Sequence, residues 1–156
     1  MKKEKKLIHF KFKYNDMSLT LKDAEKMVDA GIAKANELGV KNTFAVLDES
    51  GHIILVKRMD GAAWITVELA IGKAYTAVAF RLIGERFDSS ATVGQYFSDT
   101  PSLLYSLGVS TGGKIIGRGG GFPIIKDGKV IGAVGVSGGT YKQDEECAEA
   151  MLKSLS

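Results

Sequence analysis

Residues 113–139 read GKIIGRGGGFPIIKDGKVIGAVGVSGG, and ten of these 27 positions are glycine. Three stretches inside this segment are rich in β-branched and aliphatic residues, namely KIIGR (114–118), FPIIK (122–126) and KVIGAVGV (129–136). The Asp127-Gly128 pair between the last two is a favourable two-residue hairpin turn. The segment therefore predicts three strands, and the last two are expected to form an antiparallel hairpin.

So many glycines raise the question of a phosphate-binding loop. Gly108 to Lys114 fits the first seven positions of G-x-x-x-x-G-K-[ST], but Ile115 stands where the motif needs a hydroxyl group for Mg²⁺. A strand pattern follows this stretch, whereas a phosphate loop needs a helix whose N-terminus faces the phosphates. Residues 119–121 also lack a G-x-G-x-x-G frame, because Phe122 and Ile124 follow them. We therefore expect the glycines to serve backbone geometry.

Three glycines of the last predicted strand recur at every third position, at Gly132, Gly135 and Gly138. Side chains alternate between the faces of a strand, so these positions fall on both faces of the sheet. The missing Cβ atoms allow a close approach of a helix, a ligand ring or a neighbouring subunit.

The rest of the chain reads as helices and one further hairpin. The patterns predict a helix from Ser18 or Thr20 to Leu38, strands over 43–48 and 52–59, a long helix over 64–80, short helices over 89–98 and 101–107, and a last helix after Thr140. Hairpins outnumber crossover connections in this order. We therefore predict an α/β fold of the α+β kind, with an antiparallel sheet of about five strands covered by helices.

Composition excludes several classes of protein. The chain has 156 residues, 45% of them hydrophobic, which suits one domain over residues 18–156 preceded by an extension over 1–17. The net charge of +3 owes much to the opening MKKEKK, and no basic stripe with interleaved aromatics suggests nucleic-acid binding. No apolar signal or membrane-spanning run is present, so we expect a cytoplasmic protein. The single Cys147 excludes an internal disulfide.

Four ordered motifs resemble one protein family. They are Arg58-Met-Asp-Gly-Ala62, Lys73-Ala-Tyr-Thr-Ala77, Gly119-Gly-Gly-Phe-Pro-Ile124 and Val130-Ile-Gly-Ala-Val-Gly-Val-Ser-Gly-Gly139, with Asp144 following. Their order and spacing over residues 18–155 resemble the GlcG/HbpS family, which includes the C-terminal domain of PduO and OrfY-type proteins. The resemblance implies a profilin-like fold and homo-oligomers, often octamers. It also implies haem as a cofactor, since several members bind haem, and a corrinoid as a less favoured one.

Candidate ligand-binding residues follow from the residue types that haem requires. Iron takes an axial His, Cys, Met or Tyr, and His52 matches the Gly-His of the family at the start of a strand. Arg58 and Lys73 are candidate partners for haem propionates, and Thr76 and Phe80 are candidate walls. Simpler roles compete with these. Arg58 suits an internal ion pair beside the Asp60-Gly61 turn, Lys73 is expected to be solvated or paired with Glu68, and Asp144 suits the first turn of a helix.

Three functions remain open from the sequence. The first is a non-enzymatic haem- or tetrapyrrole-binding protein, because no Ser-His-Asp set, metal-binding H-x-x-x-H or paired catalytic acids are evident. The second is an enzyme or accessory factor acting on a small carboxylate or carbonyl metabolite of a glycolate or cobalamin-dependent pathway, with Lys73, Arg58 and Asp60 around the site. The third is an oligomeric scaffold without a small ligand, suggested by the apolar, glycine-rich strand.

Overall fold

A computed structural model describes residues 18–155. Its five helices and four strands follow one another in this order: α1 (Leu21–Leu38), β1 (Thr43–Asp48), β2 (Ile53–Arg58), α2 (Thr66–Arg81), α3 (Ser90–Tyr96), α4 (Pro101–Ser110), β3 (Gly121–Lys126), β4 (Lys129–Ser137) and α5 (Tyr141–Leu155). No helix within the described range is both long and apolar enough to cross a bilayer.

The sheet is antiparallel throughout, with the strand order β2-β1-β4-β3. Both predicted hairpins are confirmed, and their inner strands β1 and β4 pair at the centre, where Thr43 lies opposite Ser137. Asp127 and Gly128 have φ angles of 50° and 75°, as a tight turn between right-twisted strands requires. The two halves of the chain therefore meet along the middle of one sheet.

The sheet has four strands in the described residues, not about five, because residues 114–118 form no strand. The Ile116 N–H donates to Thr76 Oγ1 of α2 over 2.8 Å. Gly117 lies directly against Gly94 of α3. The segment therefore crosses the helices beside the sheet, and a helix side chain holds an N–H group that a strand would donate to its neighbour.

Helices cover both faces of the sheet, as the sequence predicts. On one face α1 and α5 pack over Phe44, Val46 and Val134, and on the other face α2 packs over Ala45, Leu47 and Ala133. Alternate residues of each strand thus serve opposite cores. The α2 surface that meets the sheet is built from small side chains, namely Ala70, Ala74, Ala77 and Val78.

Gly135 explains how closely α2 approaches the sheet. A Cβ atom at this position would overlap the Ala70 carbonyl oxygen and lie 2.8 Å from the Ala74 nitrogen. The sequence left open whether a helix, a ligand ring or a neighbouring subunit approaches these glycines, and at Gly135 it is a helix. Because the opposing atoms belong to the backbone, no side-chain rotation can relieve the overlap.

We expect Gly135→Ala to lower the free energy of unfolding by roughly 2–4 kcal/mol, because α2 must move away from β4. The matched control is Gly108→Ala in α4, where an added Cβ has no neighbour within 4 Å and alanine favours a helix by up to about 1 kcal/mol. Urea unfolding of both variants measures the difference. Equal unfolding midpoints for Gly135→Ala and the wild type would contradict this packing.

Candidate functional site

The five predicted ligand-binding residues do not converge on one site. His52 and Arg58 flank opposite ends of β2, which places them about 20 Å apart at ~3.3 Å per residue. Both are exposed, whereas Lys73, Thr76 and Phe80 are buried in the interior. Each of the buried residues must therefore be considered with the partners that the interior gives it.

Lys73 is neither solvated nor paired with Glu68, so that expectation is wrong. Its side chain is 6% exposed, and Nζ lies 2.7 Å from Asp144 Oδ2 of α5 and 2.8 Å from the Val136 carbonyl oxygen. Gly120 makes this position possible, since a Cβ there would lie 3.3 Å from Lys73 Nζ and 2.8 Å from the Asp144 Cβ. Lys73 therefore ties α2 to α5, the helices on opposite faces of the sheet.

Asp144 accepts hydrogen bonds from three parts of the chain. Besides Lys73, Asn42 Nδ2 donates to Oδ1 over 3.2 Å and the Gly139 N–H donates to Oδ1 over 2.9 Å. Burial raises the pKa of Asp144 above its ordinary value, while Lys73 and the Gly139 N–H favour its charged form. The sequence assigned this residue to the helix dipole, but its main role in the structure is to join a buried network.

Cys147 lies beside this network and is fully buried. Asn42 Nδ2 lies 3.8 Å from its Sγ. Burial, together with the nearby charges of Asp144 and Glu146, raises the pKa of the Cys147 thiol to about 11. At neutral pH the thiol is therefore protonated and serves as a small apolar group.

Thr76 and Phe80 also have internal partners. Thr76 is fully buried, and its Oγ1 donates to the Gly72 carbonyl oxygen over 2.8 Å besides accepting from Ile116. Phe80 packs edge-to-face against Phe87 and Phe97, with ring centroids 5.3 Å and 5.9 Å away. Neither side chain faces an open surface, so neither forms the wall of a ligand site in this conformation.

Arg58 closes the turn that follows β2. Its guanidinium donates to the Ala62 carbonyl oxygen, and Gly61 has a φ of 84°. The predicted Asp60-Gly61 turn is confirmed, but Arg58 bonds to the backbone of that turn and not to Asp60.

His52 lies at the tip of the β1–β2 hairpin in a geometry suited to a metal ligand. Its Nδ1 is 3.3 Å from Asp48 Oδ2, and the side chain is 79% exposed. Asp48 Oδ1 also accepts the backbone N–H groups of Ser50 and His52, over 2.9 Å and 2.8 Å. A carboxylate on Nδ1 orients an imidazole and leaves Nε2 available to a ligand.

Two residues beside the hairpin complete what we call the tip site, defined as Asp48, Gly51, His52, Tyr75 and Lys114. A Cβ on Gly51 would lie 3.1 Å from the Tyr75 ring, so the hairpin rests on this half-buried aromatic side chain of α2. Lys114 Nζ lies 5.2 Å from the centroid of the same ring. The tip site therefore groups the hairpin that carries His52 with the Tyr75 ring and the Lys114 ammonium.

An apolar cleft of about 540 Å³ adjoins Lys114 along the chain. Its walls are Pro101, Leu104, Tyr105, Gly108, Val109, Gly112, Gly113 and Ile115, and we call it the α4 cleft. Tyr105 is 74% exposed, and a phenol oxygen is another possible iron ligand. A second cleft, of about 670 Å³, lies between β3 and the end of α5, but its described lining contains no His, Cys, Met or Tyr.

The sequence singled out His52 but missed Tyr75 and Lys114 as its neighbours. The Lys73-Ala-Tyr-Thr-Ala77 motif contains Tyr75 without giving it a role, and Lys114 belongs only to an incomplete phosphate-loop pattern. The structure confirms that there is no such loop, because residues 108–114 form the end of α4 and a turn that leads into non-strand chain. The Gly51-His52 pair was the one local pattern that pointed to this site, since it placed an imidazole at a hairpin.

Comparison with known proteins identifies the family. The profile of a family described as "Haem degrading protein HbpS-like" matches residues 19–153. The chain belongs to the HbpS-like family. Among curated proteins, it is 40% identical over 139 residues to an uncharacterized 15.0 kDa protein of Citrobacter freundii from the dhaT-dhaS intergenic region, covering 89% of this chain and 93% of that protein.

Two solved structures show the same fold. Klebsiella pneumoniae protein ORFY superposes with a TM-score of 0.79 at 32% identity, over 96% of this chain and 97% of that chain. The PduOC:Heme complex superposes with a TM-score of 0.76 at 29% identity, over 88% of this chain and 94% of that chain. The mixed helix and antiparallel-sheet class predicted from the sequence is thus confirmed.

The buried ion pair gives a test of the HbpS-like fold. We expect Asp144→Asn to lower the free energy of unfolding by about 3–5 kcal/mol, because it leaves the Lys73 ammonium buried without a counter-charge. The double variant Lys73→Met/Asp144→Asn should lose clearly less than the sum of the two single variants.

The exposed pair Lys57–Asp29, with a 3.0 Å separation, is the matched control. Lys57→Met and Asp29→Asn should couple by no more than about 1 kcal/mol. Urea unfolding of both double-mutant cycles measures the coupling energies. Additive losses at Lys73 and Asp144 would show that the two residues do not interact as described.

Proposed function

We propose that this HbpS-like protein binds haem at the tip site, with His52 as the axial ligand of the iron. The observation that carries the proposal is the His52 imidazole, whose Nδ1 lies 3.3 Å from Asp48 Oδ2 while the side chain is 79% exposed. The family description and the haem complex of the 29% identical PduOC support haem as the ligand. Bound haem would supply an iron centre that can change oxidation state or bind a small ligand.

The residues around His52 suit a flat ligand with an apolar body and charged edges. Tyr75 offers a half-buried aromatic surface beside the Lys114 ammonium. Ligand sites of this kind combine an apolar lining with a few polar groups that fix orientation. Lys73, which the sequence proposed for a propionate, is buried against Asp144, and Arg58 lies at the far end of β2 from His52, so neither belongs to the tip site.

We further propose that the protein holds haem without degrading it. Acid–base catalysis needs a group within hydrogen-bond reach of the reacting atom. The titratable side chains of the tip site are Asp48, His52, Tyr75 and Lys114, and in the proposal His52 would bind the iron while Asp48 would orient His52. The test keeps haem-loaded wild-type protein with ascorbate in air. A Soret band that persists supports this role, and a Soret band that is steadily lost would contradict it.

We expect haemin added to the purified protein to shift the Soret band and to saturate at a 1:1 ratio. His52→Ala should weaken binding at least about tenfold, corresponding to about 1.4 kcal/mol, because it removes the bond to iron. His9→Ala and Tyr105→Phe are matched controls, which remove the other histidine of the chain and the phenol of the α4 cleft.

Each result of this titration has a distinct meaning. A flat titration of the wild type would contradict haem binding altogether. An unchanged shift in His52→Ala would contradict the assignment of His52 as the ligand. Loss of the shift in Tyr105→Phe but not in His52→Ala would assign the iron to the α4 cleft instead.

We also propose that the protein forms homo-oligomers through the surface around α4. This helix has no buried residue. Six large apolar side chains between residues 82 and 109 are exposed, namely Leu82, Ile83, Tyr96, Leu103, Tyr105 and Val109. Such concentrations of exposed apolar surface commonly mark protein contacts.

We expect light scattering to give a mass that is a multiple of 16.7 kDa, eightfold if the protein forms the octamer implied by the resemblance. Leu103→Glu combined with Val109→Glu should reduce this mass, because burying two unpaired carboxylates in an apolar interface costs free energy. Tyr141→Glu changes another exposed apolar residue, at the start of α5, and should leave the mass unchanged. A monomeric wild type would contradict self-association.

A further inference from the structure

The strand β3 is one edge of the sheet, and no strand within residues 18–155 pairs with its outer side. The first half of this edge has few free donors, since the Gly121 N–H donates to Ser90 Oγ of α3 over 3.0 Å and Pro123 has no N–H. The half from Pro123 to Lys126 borders the cleft of about 670 Å³ between β3 and the end of α5, which we call the β3 cleft. An open edge of this kind can pair with a further strand.

The β3 cleft exposes apolar surface. Leu152 and Leu155 of α5 are half-buried in its lining, and Ile125 of β3 is 45% exposed. An apolar cavity of roughly 150 Å³ holds a benzene ring, so the cleft has room for about four side chains of that size. The described residues leave this surface uncovered.

The described chain begins in this cleft. Ser18 and Leu19 belong to its lining. A Cβ on Gly132 of β4 would lie 3.3 Å from Leu19 Cδ2, and Gly132 is paired with Ile124 of β3. Residues 1–17 are therefore joined to the structure beside the open edge.

The sequence that precedes Ser18 has the pattern of an amphipathic strand. Within LIHFKFKY (7–14), every second residue from position 8 onwards is apolar, and the residues between them are His9, Lys11 and Lys13. The apolar set consists of Ile8, Phe10, Phe12 and Tyr14. In a strand the two sets lie on opposite faces. One face therefore offers four large apolar side chains, which is the number that the cleft has room for.

The length and the flanking residues of this segment also suit the edge. Seven extended residues span about 23 Å at ~3.3 Å each, and β3 has six residues. Asn15 and Asp16, which precede Met17 and Ser18, are residue types that favour a change of direction. Lysines on the solvent face are common on edge strands, because they discourage pairing with other molecules.

We propose that residues 8–14 pair with the outer side of β3 between Pro123 and Lys126, and that their apolar side chains fill the β3 cleft. The occupant is the segment of the same chain. It would close this edge of the sheet to other molecules. The lining of the β3 cleft contains no residue of the tip site, so this inference is independent of haem binding.

Hydrogen-exchange mass spectrometry of the full-length protein tests the pairing. In the wild type, we expect slow exchange over residues 8–14, because strand pairing protects N–H groups. Phe10→Ser combined with Phe12→Ser should speed exchange at least about tenfold there, since burying one phenylalanine changes an equilibrium constant by more than tenfold. Exchange over residues 121–128 should also become faster, because the outer side of β3 loses its partner.

The matched control changes the alternate residues of the same segment. Lys11→Ser combined with Lys13→Ser should leave exchange slow, because these side chains face solvent in the proposal. Unchanged exchange over residues 43–48 of β1 shows that the domain of each variant is folded. Exchange over residues 8–14 at the rate of an unstructured peptide in the wild type overturns the proposal, and so do equal effects of the two double variants.

A second measurement identifies the chain that supplies the strand. Isotope-labelled and unlabelled proteins are unfolded, mixed, refolded together and treated with a lysine-specific cross-linker. Links from Lys11 or Lys13 to Lys126 that join only equally labelled peptides support the proposal. Links between labelled and unlabelled peptides would assign the cleft to a second copy of the chain and overturn it, as would the absence of any link to Lys126.

Discussion

The buried ion pair between Lys73 and Asp144 is the interaction on which the rest of the structure depends. Removing two charges from water is costly, and only close partners with further hydrogen bonds offset that cost. Here the offset comes from the Val136 carbonyl oxygen, from Asn42 and from the Gly139 N–H. These partners belong to β4, to the start of β1 and to the link before α5. A single carboxylate thus fixes both helical layers relative to the sheet.

Two glycines provide the space that this ion pair requires. Gly120 leaves room for the Lys73 ammonium and the Asp144 side chain. Gly135 lets α2 lie close to β4, where Lys73 bonds to the Val136 carbonyl oxygen and to Asp144. Small residues on α2 complete the fit, since Ala70 and Ala74 face Gly135. Glycines of residues 113–139 therefore serve close packing, against α2 at Gly135 and against other parts of the chain at positions such as Gly117 and Gly138. The phosphate-binding alternative has no structural basis.

The sequence predicted the elements well because their signals are local. Thr20 caps α1 with Asp23 in a capping box, and the Asp127-Gly128 turn joins β3 to β4. The strand predicted over residues 114–118 is absent, because a run of aliphatic residues can pack against helices as well as form a strand. The wrong expectation for Lys73 has a related cause. Its partner is 71 residues away, and no pattern along the helix could distinguish a buried lysine from a solvated one.

The order of strands also has a consequence for how the chain reaches its native state. Each hairpin is local, but the central pairing of β1 with β4 joins Thr43 to Ser137, and α1 packs against α5 near the end of the chain. Pairings so distant in sequence slow folding, because loop closure must precede them. During synthesis the β1–β2 hairpin is complete long before β4 has left the ribosome, so one edge of β1 stays open to unwanted pairing. The open edge of β1 is therefore exposed while the protein is still a nascent chain.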